Sequence, residues 1–231
     1  MATTAAPVEP RFARVAAAIG EPTRARMLSI LLGGSSLPAG EIARAAGISA
    51  SAASEHLRLL VDEGLVVAHS QGRHRYFRVK DADVARALET LSVVAAGTDT
   101  SEKWQREPYR PLKYARSCYR HLAGELGVQL LESLISRRVL IASEQGYALT
   151  PNGQSWLEEI GIPPPPRSGE RYAYACLDWS ERRDHLAGQL ATVMLDHFLE
   201  RRWLVRGDHP RSLKITPQGR RLLLPRLRPE S

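Results

Sequence analysis

The 231-residue sequence predicts a mainly α-helical chain carrying small β-hairpins. Three observations predict it. Up to residue 63, apolar residues recur at helical spacing between glycine and serine punctuation. The period then switches to two β-like runs around a glycine turn. In the second half, one short pattern occurs twice.

Composition sets the outer bounds. The chain has 32 Lys and Arg against 25 Asp and Glu, a formal charge of +7, and 43% hydrophobic residues. That is enough apolar material for real cores, and the basic excess favours an anionic partner. With only two cysteines, Cys118 and Cys176, no disulfide framework is expected, and a reducing compartment is the default. Met1 to Pro10 lacks the charged and apolar regions of a secretory signal. No run approaches the roughly 18 apolar residues of a membrane span. The expectation is a soluble, cytoplasmic protein without a membrane partner.

Residues 1–10 are small, polar or proline and are expected to be disordered. Arg11 to Ile19 reads as a first helix, closed by Gly20. Pro22 suits the first turn of a second helix reaching Leu32, which Gly33 and Gly34 end. Ser36 to Pro38 opens a third, ending at Gly47. Ser49 caps a fourth, Ala50 to Glu63, which Gly64 stops. Leu65 to His69 and His74 to Val79 alternate as strands, with Ser70 to Arg73 as the turn. Asp81 or Asp83 caps a fifth helix, Val84 to Ala95.

This order, helix, glycine turn, helix and basic hairpin, describes a winged helix-turn-helix domain over residues 11–97. A polar linker with Pro108 and Pro111 follows over 98–113, leaving 114–231 as an effector and dimerisation domain. Within that domain lie the two copies, 114–162 and 171–227. The first has Cys118, then His121-Leu122-Ala123-Gly124, then Thr150-Pro151-Asn152-Gly153. The second has Cys176, then His185-Leu186-Ala187-Gly188, then Thr216-Pro217-Gln218-Gly219. Each copy reads as helix, short hairpin and Thr-capped helix, with Pro163 to Pro166 as a stiff spacer between them.

The N-terminal domain has the residues to read a DNA duplex. Ile42, Ala45, Ile48, Leu57 and Leu60 are spaced to fix the third and fourth helices at a large angle. Ser49, Ala50, Ser51 and Ser54 begin the fourth, and such small side chains let a helix enter a major groove closely. His56 and Arg58 follow, in reach of phosphates or base edges. Arg73, His74 and Arg75 make a cation cluster at the hairpin tip.

Gly20-Glu21-Pro22-Thr23-Arg24, Glu41-Ile42-Ala43, Gly47-Ile48-Ser49, Ser54-Glu55-His56-Leu57-Arg58-Leu59-Leu60, Glu63-Gly64-Leu65-Val66 and Gly72-Arg73-His74-Arg75-Tyr76-Phe77 together resemble the arsenic-repressor (ArsR-type) family of winged-helix regulators. The Cys-Leu-Asp-Trp-Ser-Glu-Arg-Arg run from Cys176, with the His-Leu-Ala-Gly after it, is similar to members with an extended second half. The resemblance implies a homodimer bound to a double-stranded, inverted-repeat operator, with Arg11 to Ile19 and Val84 to Ala95 forming the dimer surface. It implies a repressor released by a signal. The alternative is a winged-helix protein-interaction module without specific DNA binding.

Members of that family often sense metals, but the paired cysteines of their third helix and the Asp–His set of their last helix are both missing here. A signal therefore falls to the second half. Cys118 and His121 share a helical face if the helix already includes Cys118. If the copies pack about a pseudo-twofold axis, they meet Cys176 and His185, with Trp179 nearby. No cofactor is certain. A Cys2His2 set suits zinc, and a thiol pair suits a metalloid such as arsenite or reversible oxidation; otherwise each cysteine is a small buried hydrophobe and each histidine a capped or satisfied core residue. Trp104, Tyr109, Tyr114, Tyr119, Tyr172, Tyr174 and Trp179 would instead line a pocket for a small organic effector, or simply form core. The run Asp178 to Arg183 reads as a helix N-terminus with ordinary ion pairs. No catalytic motif occurs, and the sequence predicts no enzyme.

Overall fold

A computed structural model describes residues 10–72, 74–96, 110–165 and 171–227. The chain forms two compact units, Met1–Ala85 and Arg86–Ser231. Among the described residues, no helix is long and apolar enough to cross a membrane.

The first unit opens with α1 (Pro10–Gly20) and α2 (Pro22–Leu31). The Glu21 carboxylate caps α2, accepting from the Thr23 and Arg24 amides at 2.9 and 2.8 Å, with Pro22 at the first helical position. Those backbone donors hold the Glu21 carboxyl down at about 2. Next come β1 (Leu37–Pro38), α3 (Ala39–Ala46), α4 (Ala50–Asp62), β2 (Val66–Gln71) and β3 (His74–Val79). The strands form one antiparallel sheet in the order β1-β3-β2. Leu37 and Pro38 were expected to open a helix. They pair instead with Phe77 and Tyr76, since proline fits an edge strand and α3 starts after it. Ser70 and Gln71 likewise belong to β2, because Gln71 opposes His74 across a tight turn with Gly72 at φ 58°.

Ile42, Leu57 and Leu60 are buried as expected, but Ala45 is exposed and Ile48 only half-buried. Ala43, Ala46 and Ala53 fill the seam instead. The seam is turned about α3 from Ala45 toward Ala43, because Ile42 and Ala46, four apart, share its inner face.

Helix α5 (Ala82–Ala96) begins in the first unit and ends in the second, with Asp81 accepting from the Val84 amide at 2.9 Å. The expected domain placed it wholly in the N-terminal half. Its buried Glu89 pairs with Arg211, which accounts for the association of its later turns with the C-terminal unit.

After α6 (Arg110–Tyr114), within the expected linker, the second unit has two runs of the same element order. The first is β4 (Arg116–Cys118), β5 (His121–Ala123), α7 (Glu125–Ser136), β6 (Leu140–Ser143), β7 (Gly146–Leu149) and α8 (Pro151–Glu159). The second is β8 (Tyr174–Leu177), β9 (Asp184–Ala187), α9 (Gln189–Glu200), β10 (Leu204–Arg206), β11 (Leu213–Ile215) and α10 (Pro217–Leu222), with a closing 3-10 turn, Leu224–Leu227. Thr150 and Thr216 cap α8 and α10 through the Gly153 and Gly219 amides.

Each run therefore places a hairpin ahead of the expected helix. The reason is the glycine after His-Leu-Ala. Gly124 and Gly188 sit at φ 82° and 101°, where a Cβ would come within 2.6 Å of Lys113 O and 2.7 Å of Arg171 O. They turn the chain abruptly from strand into helix. The runs pack crosswise, α7 against β9 and α9 against β5, around one core that includes Leu126, Leu130, Leu157, Leu190, Met194 and Phe198. On α7, Gly127 lies so close to the preceding strand that a Cβ would stand 2.4 Å from Leu122 O and 3.5 Å from the His185 Cβ.

A charged tie also joins the runs. Arg116 and Asp178 are fully buried and meet at 2.7 Å. Arg116 donates further to Leu112 O and Ser180 Oγ, both at 3.0 Å, and its guanidinium lies 4.4 Å from the Trp179 ring centroid. The other Asp178 oxygen accepts from the Gly124 amide at 2.7 Å, at the start of α7.

Two stability outcomes are expected. Gly127→Ala overpacks the α7–β5 contact and should cost about 1–3 kcal/mol or more, read as a lower melting temperature; an unchanged melt would contradict the close approach. Arg116→Ala leaves the buried Asp178 carboxylate uncompensated and should cost about 3–5 kcal/mol. Denaturant unfolding followed by tryptophan emission measures this, and a loss within error would show the pair to be solvated.

Candidate functional site

The outward face of the first unit is built by α4 and the β2–β3 hairpin. Gly47, at φ 70°, ends α3, and the Ser49 hydroxyl then caps α4 by accepting from the Ala52 amide at 3.2 Å. Ser49, Ala50, Ser51 and Ser54 are all exposed. Ser49 and Ser51 hydroxyls meet at 3.0 Å, and Ser54 donates to Ala50 O at 2.9 Å. A row of small side chains therefore lies along the first turns of α4 with free hydroxyl acceptor capacity. Arg58, one turn on, is exposed and pairs with Asp62 at 3.2 Å. His56 does not project with this row. It is half-buried, 3.7 Å from the Glu21 carboxylate. On the hairpin, His74 and Arg75 are exposed, and the Arg75 guanidinium lies 5.2 Å from the Phe77 ring centroid. Arg73 lies outside the described residues.

The second unit holds a different kind of site. Cys118 opposes His121 in the β4–β5 register, and Cys176 opposes His185 in the β8–β9 register. Directly opposed residues of an antiparallel pair project to the same face of the sheet. Strand β5 lies beside β9, which brings the two pairs together. The ligand-type atoms of Cys118, His121, Cys176 and His185 all lie within 4.8 Å of one another, and all four residues are buried. His121 Nδ1 and His185 Nε2 are 3.1 Å apart. The expected helical face for Cys118 and His121 is thus corrected. Their spacing of three comes from a tight hairpin turn with Tyr119 at φ 58°.

Burial pushes the Cys118 thiol well above its usual range, reinforced by Cys176 and the Glu89 charge. His121 is driven well down by burial and then by His185. For His185, burial acts downward, but Asp178 and Cys118 outweigh it and carry the imidazole up to about 9. Its Nδ1 stands 3.3 Å from Asp178 Oδ2. Burial works against ionising Asp178 too, yet His185 and Arg116 hold its carboxyl well below the usual carboxylate range.

Trp179, expected near the cluster, packs under Arg116. Tyr114 and Tyr172 pack on the main core and Tyr174 on the two cysteines. Trp104 and Tyr109 lie outside the described residues. The run Asp178 to Arg183 is the connection between β8 and β9, with Arg182 at φ 55°, and not a helix start. Asp178, Arg116, Glu89 and Arg211 were missed as members of the site. Glu89 carried a signal: it sits with Ala85, Leu88, Ser92 and Ala96 at the inward spacing of α5.

Residues 19–68 match the helix-turn-helix domain family. The HTH-type transcriptional regulator YdfF of Bacillus subtilis is 35% identical over 215 residues, covering 92% of this chain and 95% of its own. The HTH-type transcriptional regulator CmtR of Mycobacterium tuberculosis is 39% identical over 94 residues, 41% of this chain and 79% of its own. Among solved structures, the homodimeric winged helix-turn-helix DNA-binding domain Mb0332 of Mycobacterium bovis is 35% identical over 37% of this chain and 78% of that one, with a TM-score of 0.35. Similarity to a transcriptional regulator over nearly the whole of both chains, together with the helix-turn-helix match, makes this protein a member of the ArsR-type helix-turn-helix transcriptional regulators.

Proposed function

We propose that the protein is a homodimeric, cytoplasmic repressor that binds an inverted-repeat DNA operator and lets go when a signal reaches its C-terminal unit. The observation that carries this reading is the exposed row Ser49, Ala50, Ser51 and Ser54 at the start of α4, in a chain related end to end to a named regulator. These side chains are short enough for the helix to approach base edges in a major groove. Arg58, His74 and Arg75 flank them as phosphate contacts, which give affinity and register without sequence preference. His56 is half-buried instead, 3.7 Å from the Glu21 carboxylate near the start of α2, and is not among these contacts.

Exposed apolar side chains support the dimer. Phe12 on α1 is 70% exposed, and on α5 Leu91 and Val94 are 48% and 71% exposed. Large apolar groups left open on a helix, in each unit taken by itself, fit contact with an identical subunit. The relatives are named as transcriptional regulators, and the roles assigned here are binding roles, not catalytic ones. Release requires a signal that binds the non-reading arrangement more tightly than the reading one.

Gel-shift with the DNA upstream of the protein's own gene tests the reading. The full chain should select that fragment over random DNA of the same length. Equal affinity for both would sink operator recognition and leave a winged-helix interaction module. Arg75→Ala should weaken binding to all sequences alike. The slope of log affinity against log salt should fall by about 0.9 for each wing that loses a phosphate contact, and an unchanged slope would remove the wing from the interface.

A further inference from the structure

We propose that Cys118, His121, Cys176 and His185 form a closed, four-coordinate site for a thiophilic divalent ion of the zinc class. In this reading the ion clamps the two repeats together, and its occupancy is transmitted to α5.

Geometry carries the site. Two hairpins each present one cysteine and one histidine as a cross-strand pair. A tetrahedral ion with bonds of about 2.3 Å to sulfur and 2.0–2.1 Å to nitrogen separates its ligand atoms by roughly 3.3–3.8 Å. Here all four ligand atoms lie within 4.8 Å of one another, with the two imidazole nitrogens 3.1 Å apart. Shifts of well under an ångström per ligand would close the set on an ion. The four residues are 0–9% exposed, so water has little claim on a coordination position. A complete protein ligand set of this kind marks a site that holds an ion and does not open it to a substrate.

Chemistry selects the ion. Two thiolates and two imidazoles favour borderline-soft ions over calcium or magnesium, which take oxygen ligands. Binding is balanced without an oxidant. Two S–H bonds and one imidazolium N–H bond lose their protons to solvent, two metal–sulfur bonds form, and the two imidazoles, both then neutral, add lone pairs. The product carries two negative charges against two positive ones, which suits a buried setting. A Cys118–Cys176 disulfide would need an external oxidant and would leave both histidine nitrogens facing each other unused.

Orientation comes from Asp178. Its carboxylate faces His185 Nδ1 at 3.3 Å, leaving His185 Nε2 turned toward His121 and the cysteines. A carboxylate behind a ligating histidine fixes the tautomer and raises the basicity of the ligand. Asp178 is itself held by Arg116 and the Gly124 amide, so the carboxylate that faces the ring is fixed before any ion arrives.

The route outward is short. Ser117, next to Cys118, donates its amide to Arg211 O at 2.8 Å, and its carbonyl accepts from Arg211 Nε at 3.0 Å. Arg211 then pairs with Glu89 of α5, both nearly fully buried. An ion that draws Cys118 inward pulls on the strand to which Arg211 is fastened. This step rests on the repressor reading, because α5 matters to DNA only if it forms the dimer surface.

The full chain, purified under reducing conditions, should contain about one zinc per chain by elemental analysis. After stripping with a chelator it should take up one cobalt(II), giving the intense visible bands of tetrahedral cobalt and a near-ultraviolet thiolate band. Cys176→Ser should lose part of the thiolate intensity, since Cys118 remains. Asp178→Asn should weaken metal affinity about 10–100-fold. If either variant fails to fold, chelator-controlled thiol titration of the native chain replaces it: both thiols should be protected with metal and reactive without it. A native chain that holds neither zinc nor cobalt, or a Cys176→Ser variant with an unaltered cobalt spectrum, overturns the site. Operator affinity of the loaded and stripped chain should differ at least about fivefold, and equal affinities would overturn the link to α5. The metal measurements involve no DNA, so failure of operator recognition would show separately.

Discussion

The C-terminal unit depends on one buried carboxylate. Asp178 is wholly excluded from water, a placement that costs several kcal/mol unless charge and hydrogen bonds replace the lost hydration. Four elements supply the replacement: Arg116 from β4, the Gly124 amide at the start of α7, the Ser180 amide and hydroxyl in its own turn, and the His185 ring on β9. Position adds to this, because a negative group at a helix N-terminus is favoured by the aligned peptide dipoles of α7. One side chain thereby fixes the entry to a helix, the shape of a turn and the orientation of an imidazole, and it does so across the two repeats.

That arrangement breaks the symmetry the repeats would otherwise have. Cys118 and His121 are joined by two residues, whereas Cys176 and His185 enclose the longer excursion that carries Asp178. His185 therefore has a carboxylate behind it that pushes its imidazole up, while burial, the neighbouring imidazole and the Arg211 charge push His121 down. Two residues at equivalent repeat positions are thus pushed in opposite directions by the stretch that the second copy inserts between its cysteine and its histidine. Elsewhere equivalence is kept. Arg138 and Arg202 both adopt positive φ, and their carbonyls both accept from the threonine hydroxyl that caps the next helix.

What could be read from the sequence follows the range of the interactions. In the first unit the signals are local. The Ser49 cap, the glycines after α3 and α4, and the strand alternation each act within a few residues, and the helices and hairpin fall close to where these place them. The errors there concern which small residue faces the seam, as with Ala45 against Ala43 and Ala46, because three alanines in five positions give no periodicity to choose by. In the second unit the repeat made the meeting of the Cys–His pairs conditional on how the copies pack, and their hairpins were not legible at all. A spacing of three fits one turn of helix as well as a two-residue turn, and nothing in Tyr119 announces a positive φ. Asp178 was illegible for a different reason. Its main partner, Arg116, is 62 residues away, and a carboxylate in a run of charged residues resembles solvated surface until the fold buries it.

The pair Glu89–Arg211 raises the question of what a buried ion pair does that apolar packing would not. A well-fitted apolar pair would hold α5 in place with equal or greater stability. Its contacts, however, would tolerate sliding and rotation that a directed hydrogen-bond set resists. The Arg211 guanidinium is already committed to the Ser117 carbonyl, so Glu89 can reach it in only a narrow range of α5 positions. The pair therefore trades stability for registry between the later turns of α5 and the strand that carries Cys118. Coupling between sites needs such an element, because a ligand shifts an equilibrium only by the difference in its interaction with the two arrangements. A loosely packed apolar seam would absorb a small movement of Cys118, whereas a charged contact with one good geometry would turn such a movement into a difference in free energy.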